Sequence, residues 1–260
     1  MDYLSKAEQA KIRLLGKKRE RMEQGRFIAE GLKVCKELLG SSITIQYAVI
    51  SDDANDQALH LAEEFEEAGI EVCKAGTSAF ERMCDAQTPQ DIFCIAELPN
   101  IEHSMPDCFL ALEDINDPGN LGTILRTADW FGLHSIILGG TSADPFGPKA
   151  LRSAMGSTFR LKIQTTEDLP GILQSWKKNY ADGEILGMIV HGNHTLQDLN
   201  ELPKHWGMIV GSESHGLSKH ITDLITLPIR IDGLGTAESL NVGIATGISL
   251  YHCCTMLKKQ

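Results

Sequence analysis

Three short segments of the chain combine glycine with side chains of the types that chemistry uses. The first, DPGNLGTILRTADWFG from Asp117 to Gly132, supplies Asn120 and Arg126. The second, GSESHGLS, supplies Glu213 between Gly211 and Gly216. The third, LPIRIDGLGTAESLNVGIATG, supplies Ser239 and Asn241. Glycine lets backbone amides approach a ligand closely. The polar groups add a forked cation, amides that both donate and accept, a carboxylate acceptor and a hydroxyl. Read alone, Ser239 is equally well a helix cap, because hydroxyl and amide side chains favour helix starts.

Other motifs fit less well. GLGTAES, Gly233 to Ser239, lacks the third glycine of a dinucleotide fingerprint and follows the last strand instead of the first. HGNH, with His191 and His194, has no matching ligand cluster nearby in sequence, so no metal is expected. No GxxxxGK[ST] or GxSxG occurs, which removes the P-loop and hydrolase readings.

The elements that must position these segments follow from periodicity. Asp-Pro-Gly-Asn is turn chemistry. Leu121, Ile124, Leu125 and Ala128 then keep an apolar helical face, with Asn120 as the expected cap and Gly132 as the stop. Arg126 interrupts that apolar run. From residue 43 to 96, strand and helix patterns alternate as a small α/β domain. The punctuated stretch LPNIEHSMPD reads as a linker. Beyond it, strands FLALED, SIILGG, RLKIQT, EILGMIV, GMIVGSES and LITLPIRI alternate with helices and end in a helix expected from Ser239. This order predicts a parallel sheet with helices on both faces, where ligands bind at the carboxyl ends of strands. All three glycine-containing segments fall at such ends.

Composition bounds the partners. The net charge of −11 alone speaks against nucleic acid, yet residues 1–36 hold ten Lys/Arg against five Asp/Glu, a local +5. Arg13, Lys17 and Arg21 recur at i, i+4, i+8 and are expected on one face of a single helix, with Ile12, Leu15 and Met22 on another. A solvated helix face explains that spacing equally well. Seven cysteines without CxxC spacing argue for a reducing, cytoplasmic setting without disulfides or zinc. The N-terminus does not resemble a signal peptide. The C-terminal apolar stretch carries Asn241, Thr246, Ser249 and His252, which favours a buried helix over a membrane span.

Taken in order, the segments resemble the SpoU, or TrmH-like, family of RNA ribose 2′-O-methyltransferases of the SPOUT class. The likeness lies in Asn120, Gly122 and Arg126; in Gly211, Glu213, Gly216 and Leu217; and in Ser239, Leu240, Asn241 and Val242. PKALRSAMGSTF, with Lys149, Arg152 and Gly156, is similar to the family's stretch between its first two motifs. KIRLLGKKRERMEQGRFIAEGLK resembles the substrate-binding module that often precedes this domain. Two departures stand out: between Pro228 and Ser239 the chain has about four residues more than the usual family loop, and Gly243 stands where a serine is common.

The resemblance implies an L30e-like RNA-binding domain over residues 1–97, a linker at 98–107 and a trefoil-knotted methyltransferase domain over 108–260. It implies S-adenosylmethionine near Gly211, Gly216, Leu227, Ile229 and Leu240, a homodimer, and a structured ribosomal or transfer RNA as substrate; the residues themselves add the expectation of no metal and no membrane. Asn120, Arg126, Glu213, Ser239 and Asn241 become the catalytic set. Arg13, Lys17, Lys18, Arg19 and Arg21 become RNA phosphate contacts. Two other readings remain at this point: a noncatalytic RNA-binding or ribosome-assembly protein that keeps the cofactor fold, and a nucleotide-dependent oxidoreductase.

Overall fold

The computed structural model describes residues 1–100, 104–190 and 192–257. Residues 101–103 of the expected linker, and His191, lie outside them. The chain divides into two compact units. One comprises Met1–Asn100 together with Asp144–Arg160, and the other takes the rest. The segment containing Arg152 and Gly156 thus belongs by its contacts to the N-terminal unit, although sequence order places it between two strands of the C-terminal one.

The first unit runs α1 (Lys6–Leu14), α2 (Lys18–Gln24), β1 (Arg26–Glu30), α3 (Leu32–Leu39), β2 (Ile45–Ser51), α4 (Asp56–Glu67), β3 (Val72–Ala75), α5 (Thr77–Glu81) and β4 (Ile92–Glu97). Its sheet has the order β1-β4-β2-β3, antiparallel except for the β2–β3 pair. Strand β1, unforeseen in the sequence, is short, and only Arg26 at its start escapes full burial. The aromatic core reaches into the inserted segment: Phe27 lies 5.0 Å from Phe146 and 6.0 Å from Phe159, ring centre to ring centre.

The basic N-terminal stretch is two helices instead of the single one expected. Lys17 is extended, at φ −97° and ψ 131°, and begins α2 afresh. The break reverses two assignments: Met22 is exposed, and Arg21 is only 3% exposed. Arg21 donates to the Leu15 carbonyl at 2.6 Å and to Asp144 Oδ2 at 2.9 and 2.5 Å. A buried guanidinium persists only when its charge and donors are satisfied in this way. It is therefore not available to an RNA phosphate, and the expectation for Arg21 is corrected. Arg13, Lys17, Lys18 and Arg19 are exposed.

The second unit runs β5 (Cys108–Glu113), α6 (Pro118–Trp130) and β6 (Ser135–Gly139). Helix α7 (Pro148–Ala154) follows within the first unit. Then come β7 (Lys162–Thr166), α8 (Leu169–Asn179), β8 (Glu184–Met188), β9 (His194–Thr195), β10 (Trp206–Val210), α9 (Lys219–Thr222), β11 (Leu227–Arg230) and α10 (Val242–Leu257). Every pair in its sheet is parallel, in the order β7-β6-β5-β10-β8-β11-β9. Leu121, Ile124, Leu125 and Ala128 bury the expected face of α6. Full burial of a leucine or isoleucine contributes about 1.5–3 kcal/mol. No helix among the described residues is long and apolar enough to cross a membrane.

Candidate functional site

Helix starts decide which polar side chains are free. Helix α6 is capped by Asp117, whose carboxylate accepts the Asn120 N–H at 2.8 Å. Asn120 is therefore not the cap expected; it lies inside the first turn with its side-chain amide released. Helix α10 begins at Val242, later than Ser239, and Asn241 Oδ1 accepts the N–H groups of Gly243 at 2.9 Å and Ile244 at 3.3 Å. Asn241 is thus the cap, and its Nδ2 remains free for another partner. Gly132, at φ +75°, follows the last turn of α6 as expected.

These amides meet one carboxylate oxygen. Glu213 Oε1 accepts from Asn241 Nδ2 at 3.0 Å, from the Val242 N–H at 3.0 Å and from Asn120 Nδ2 at 3.3 Å. Asn241 Nδ2 also donates to Asn120 Oδ1 at 3.0 Å, closing a ring of three side chains. The ring joins one residue from each of the three segments. A carboxylate accepts such bonds with strengthened, charge-assisted character.

The loop carrying Glu213 is tight. Gly216 adopts φ +64°, and its N–H bonds the Ser212 carbonyl at 2.9 Å. A Cβ on Gly211 would come within 2.2 Å of the Gly216 carbonyl oxygen. Both glycines are thus required by backbone geometry, and the loop's peptide groups are brought close together at the end of β10. Nearby in the sheet, β11 holds half-buried Leu227 and fully buried Ile229, while Leu240 is exposed. The Ile229 carbonyl accepts the Ile189 N–H at 2.9 Å.

The other two proposed catalytic side chains stand apart from the ring. Arg126 is exposed on α6 and makes no hydrogen bond or ion pair among the described residues. Ser239 is exposed in the loop before α10, likewise without a hydrogen bond among them. An unengaged guanidinium presents five donors to solvent or ligand. Sequence reasoning missed Gly192, where a Cβ would lie 2.9 Å from the Ile229 carbonyl carbon. Its carbonyl accepts Arg230 Nη1 at 2.6 Å, so the segment after β8 is fixed against β11. The glycine in HGNH was the available signal. Among the described residues no cluster could hold a metal ion.

Helices α6 and α10 pack together, and a Cβ on Gly243 would lie 3.3 Å from Thr123 Cγ2. On this pair of helices Trp130, Ile244, Ile248 and Tyr251 are exposed, with Trp130 at 84%. Phe131 and Tyr251 lie 6.0 Å apart across the two helices.

Comparison with known proteins places these features. Residues 107–251 match a model of the SpoU rRNA Methylase family, and residues 10–94 match an MRM3-like substrate binding domain. The chain is 29% identical to the 23S rRNA (guanosine(2553)-2′-O)-methyltransferase of Bacillus subtilis, over 97% of this chain and 99% of that one. An AdoMet-bound rRNA methyltransferase from Sinorhizobium meliloti is 30% identical with a TM-score of 0.80, covering 97% of this chain and 95% of that one. The SpoU methyltransferase AviRb of Streptomyces viridochromogenes, also solved with AdoMet, is 22% identical and shares the fold at a TM-score of 0.83, over 98% of this chain and all of that one.

Proposed function

The chain belongs to the SpoU rRNA methylase family, and from that premise we propose that it methylates a ribose 2′-hydroxyl in structured RNA, ribosomal RNA foremost. The observation that carries this reading is the ring of Asn120, Glu213 and Asn241. Its three residues come from segments far apart in sequence, and they fix the loop and helix start between which a cofactor and an acceptor must be held. The relative from Bacillus subtilis acts on a guanosine 2′-oxygen of 23S rRNA.

The cofactor is S-adenosylmethionine, which when bound supplies a methyl group on a positively charged sulfonium. The residues present suit it. The Gly211–Gly216 turn leaves no room for side chains against its peptide groups, β11 adds the apolar Leu227 and Ile229, and Leu240 stands exposed beside the ring. The turn, β11 and Leu240 would hold the adenosine and amino-acid ends. Glu213 and Asn241 would keep the α10 start in place, while Ser239 and Asn120 complete the polar wall.

Arg126 addresses the acceptor. A guanidinium donates through five N–H groups and accepts nothing, so it is suited to orienting the ribose 2′-oxygen and an RNA phosphate together. With the 2′-oxygen so held, an RNA phosphate oxygen would be placed to take the hydroxyl proton. Alignment of reacting atoms supplies up to roughly 7–11 kcal/mol of barrier reduction in ideal cases.

A homodimer joined through the α6–α10 face accounts for the exposed Trp130, Ile244, Ile248 and Tyr251. The strand order, with β8 between β10 and β11, and the seating of Gly192 on β11 support a trefoil-knotted path in this unit. RNA capture falls to Arg13, Lys17, Lys18 and Arg19, all exposed in the substrate-binding unit. Seven cysteines, none of them in a disulfide among the described residues, and an RNA substrate favour the cytoplasm.

The test is transfer of labelled methyl from S-adenosylmethionine to large-subunit ribosomal RNA, followed by alkaline hydrolysis. A 2′-O-methyl group blocks cleavage, so the label is expected in an alkali-resistant dinucleotide. Label recovered only in single nucleotides would place the methyl on a base and overturn the 2′-O assignment.

A further inference from the structure

Glu30 ends β1 only 7% exposed. Its carboxylate accepts the Asp85 N–H at 2.5 Å and the Ala86 N–H at 3.0 Å. Burial pushes its pKa above the ordinary glutamate value, against the lowering effect of those bonds and of Arg152. Arg152 comes from α7 in the inserted segment. Its Nη2 donates to Asp85 Oδ2 at 2.7 Å. Its Nη1 lies 3.5 Å from Glu30 Oε2, and is buried without a hydrogen bond among the described residues. A buried donor left unsatisfied is uncommon enough to require an explanation.

Both groups line a cavity of about 260 Å³ that lies wholly within the first unit. Its walls are apolar at Val34 and Ile92, and its rim includes Lys33 and Gln90. Helix α3 starts at the same place. Gly31, at φ +96°, precedes it and offers no side-chain cap, while Gln90 Oε1 takes the Leu32 N–H at 3.1 Å. The first-turn amides of Lys33 and Val34 have no carbonyl four residues back within the helix. The cavity therefore joins a carboxylate, a guanidinium nitrogen that faces it only as an ion pair at 3.5 Å, apolar walls and a lysine and helix start suited to an anion. It is smaller than the roughly 300–1,000 Å³ clefts that hold drug-sized ligands, a size suited to one flat heterocycle.

We propose that this cavity receives a single unpaired purine nucleotide of the RNA, its base edge read by Glu30 and Arg152 and its phosphate held by Lys33 and the start of α3. The proposal rests on the RNA-methylating reading, since the substrate RNA presents the base. A purine edge sets N–H donors beside ring or carbonyl acceptors. That pattern matches a carboxylate next to a guanidinium nitrogen that makes an ion pair but no hydrogen bond among the described residues. Recognition of structured RNA commonly uses such extruded bases. Arg152 lies in the stretch PKALRSAMGSTF, inside the residues that match the methylase family yet packed within the first unit.

The experiment titrates the full-length, isotopically labelled protein with 5′-GMP, with 5′-AMP and with inorganic phosphate, following backbone amides by NMR. A purine nucleotide is expected to shift the amides of Asp85 and Ala86 as well as those of Lys33 and Val34, and phosphate alone only the latter pair. Thr88, exposed and lining the cavity, allows Thr88→Trp to occlude it without a change in the core. That variant and Arg152→Met are each expected to weaken purine binding at least about tenfold, or 1.4 kcal/mol. Shifts with purines no wider than those with phosphate, or undiminished purine affinity in Thr88→Trp, would overturn the proposal. Calorimetry with S-adenosylhomocysteine on the same samples separates the two readings. Its failure to bind the native protein would count against methyl transfer, while the purine titration would still decide the cavity.

Discussion

Asn241 Nδ2 lies 3.0 Å from Glu213 Oε1, and this bond ties the start of α10 to the loop after β10. The same oxygen also receives the Val242 N–H and the Asn120 amide. One side chain thereby ties together the starts of α6 and α10 and the loop after β10.

Glu213→Ala removes an acceptor shared by three donors, while Glu213→Gln keeps an oxygen at the same position. Hydrogen bonds to charged groups contribute roughly 1.5–3 kcal/mol each, less where solvent competes. The alanine variant is expected to lose S-adenosylhomocysteine affinity by about tenfold or more in calorimetry. The glutamine variant should retain most of it. Equal loss in both would show that the charge, and not the oxygen's position, holds the site.

Gly211→Ala tests the tight turn. Its Cβ would meet the Gly216 carbonyl oxygen at 2.2 Å, and backbone, unlike the end of a flexible side chain, cannot swing aside. Cofactor affinity and thermal midpoint should both fall. Gly233→Ala, in the same unit but with nothing within 4 Å of its Cβ, should leave the midpoint unchanged. A native-like Gly211→Ala protein would contradict the turn's close packing.

Arg21 and its exposed neighbours should behave oppositely. Arg21→Met leaves Asp144 without its partner, and breaking a buried pair costs about 3–5 kcal/mol. Denaturant unfolding should register that loss, with the salt dependence of RNA affinity unchanged where the protein remains folded. Arg13→Ala, Lys17→Ala and Lys18→Ala combined should leave stability nearly unaltered and flatten the salt slope by about 0.7–0.9 for each phosphate contact removed. A flattened slope in Arg21→Met alone would return that residue to the RNA surface.

Much of this arrangement was legible in the sequence because the informative residues sit at strand ends, where alternating elements already predict a ligand crevice. Glu213 and Asn241 stand out there as polar side chains among glycines. The helix caps were less readable. Asp117 and Asn120 are both capping types three residues apart, and only the backbone geometry decides between them. Burial of Arg21 depends on Asp144, 123 residues away, which no local periodicity encodes. Strand β9 is two residues long, too short to leave an alternating pattern. The placement of Asp144–Arg160 with the first unit likewise follows from packing on Phe27, a contact between residues remote in sequence.

The role of Arg126 is the centre of the account, and one paired measurement tests it. Arg126→Ala should bind S-adenosylhomocysteine within a few fold of the native protein, because the side chain addresses the acceptor and not the cofactor. Its rate of methyl transfer to ribosomal RNA should fall by about 100- to 1,000-fold or more, the usual effect of removing one preorganised donor. Undiminished methylation by Arg126→Ala, or a loss of cofactor affinity in parallel with the loss of rate, would contradict that role.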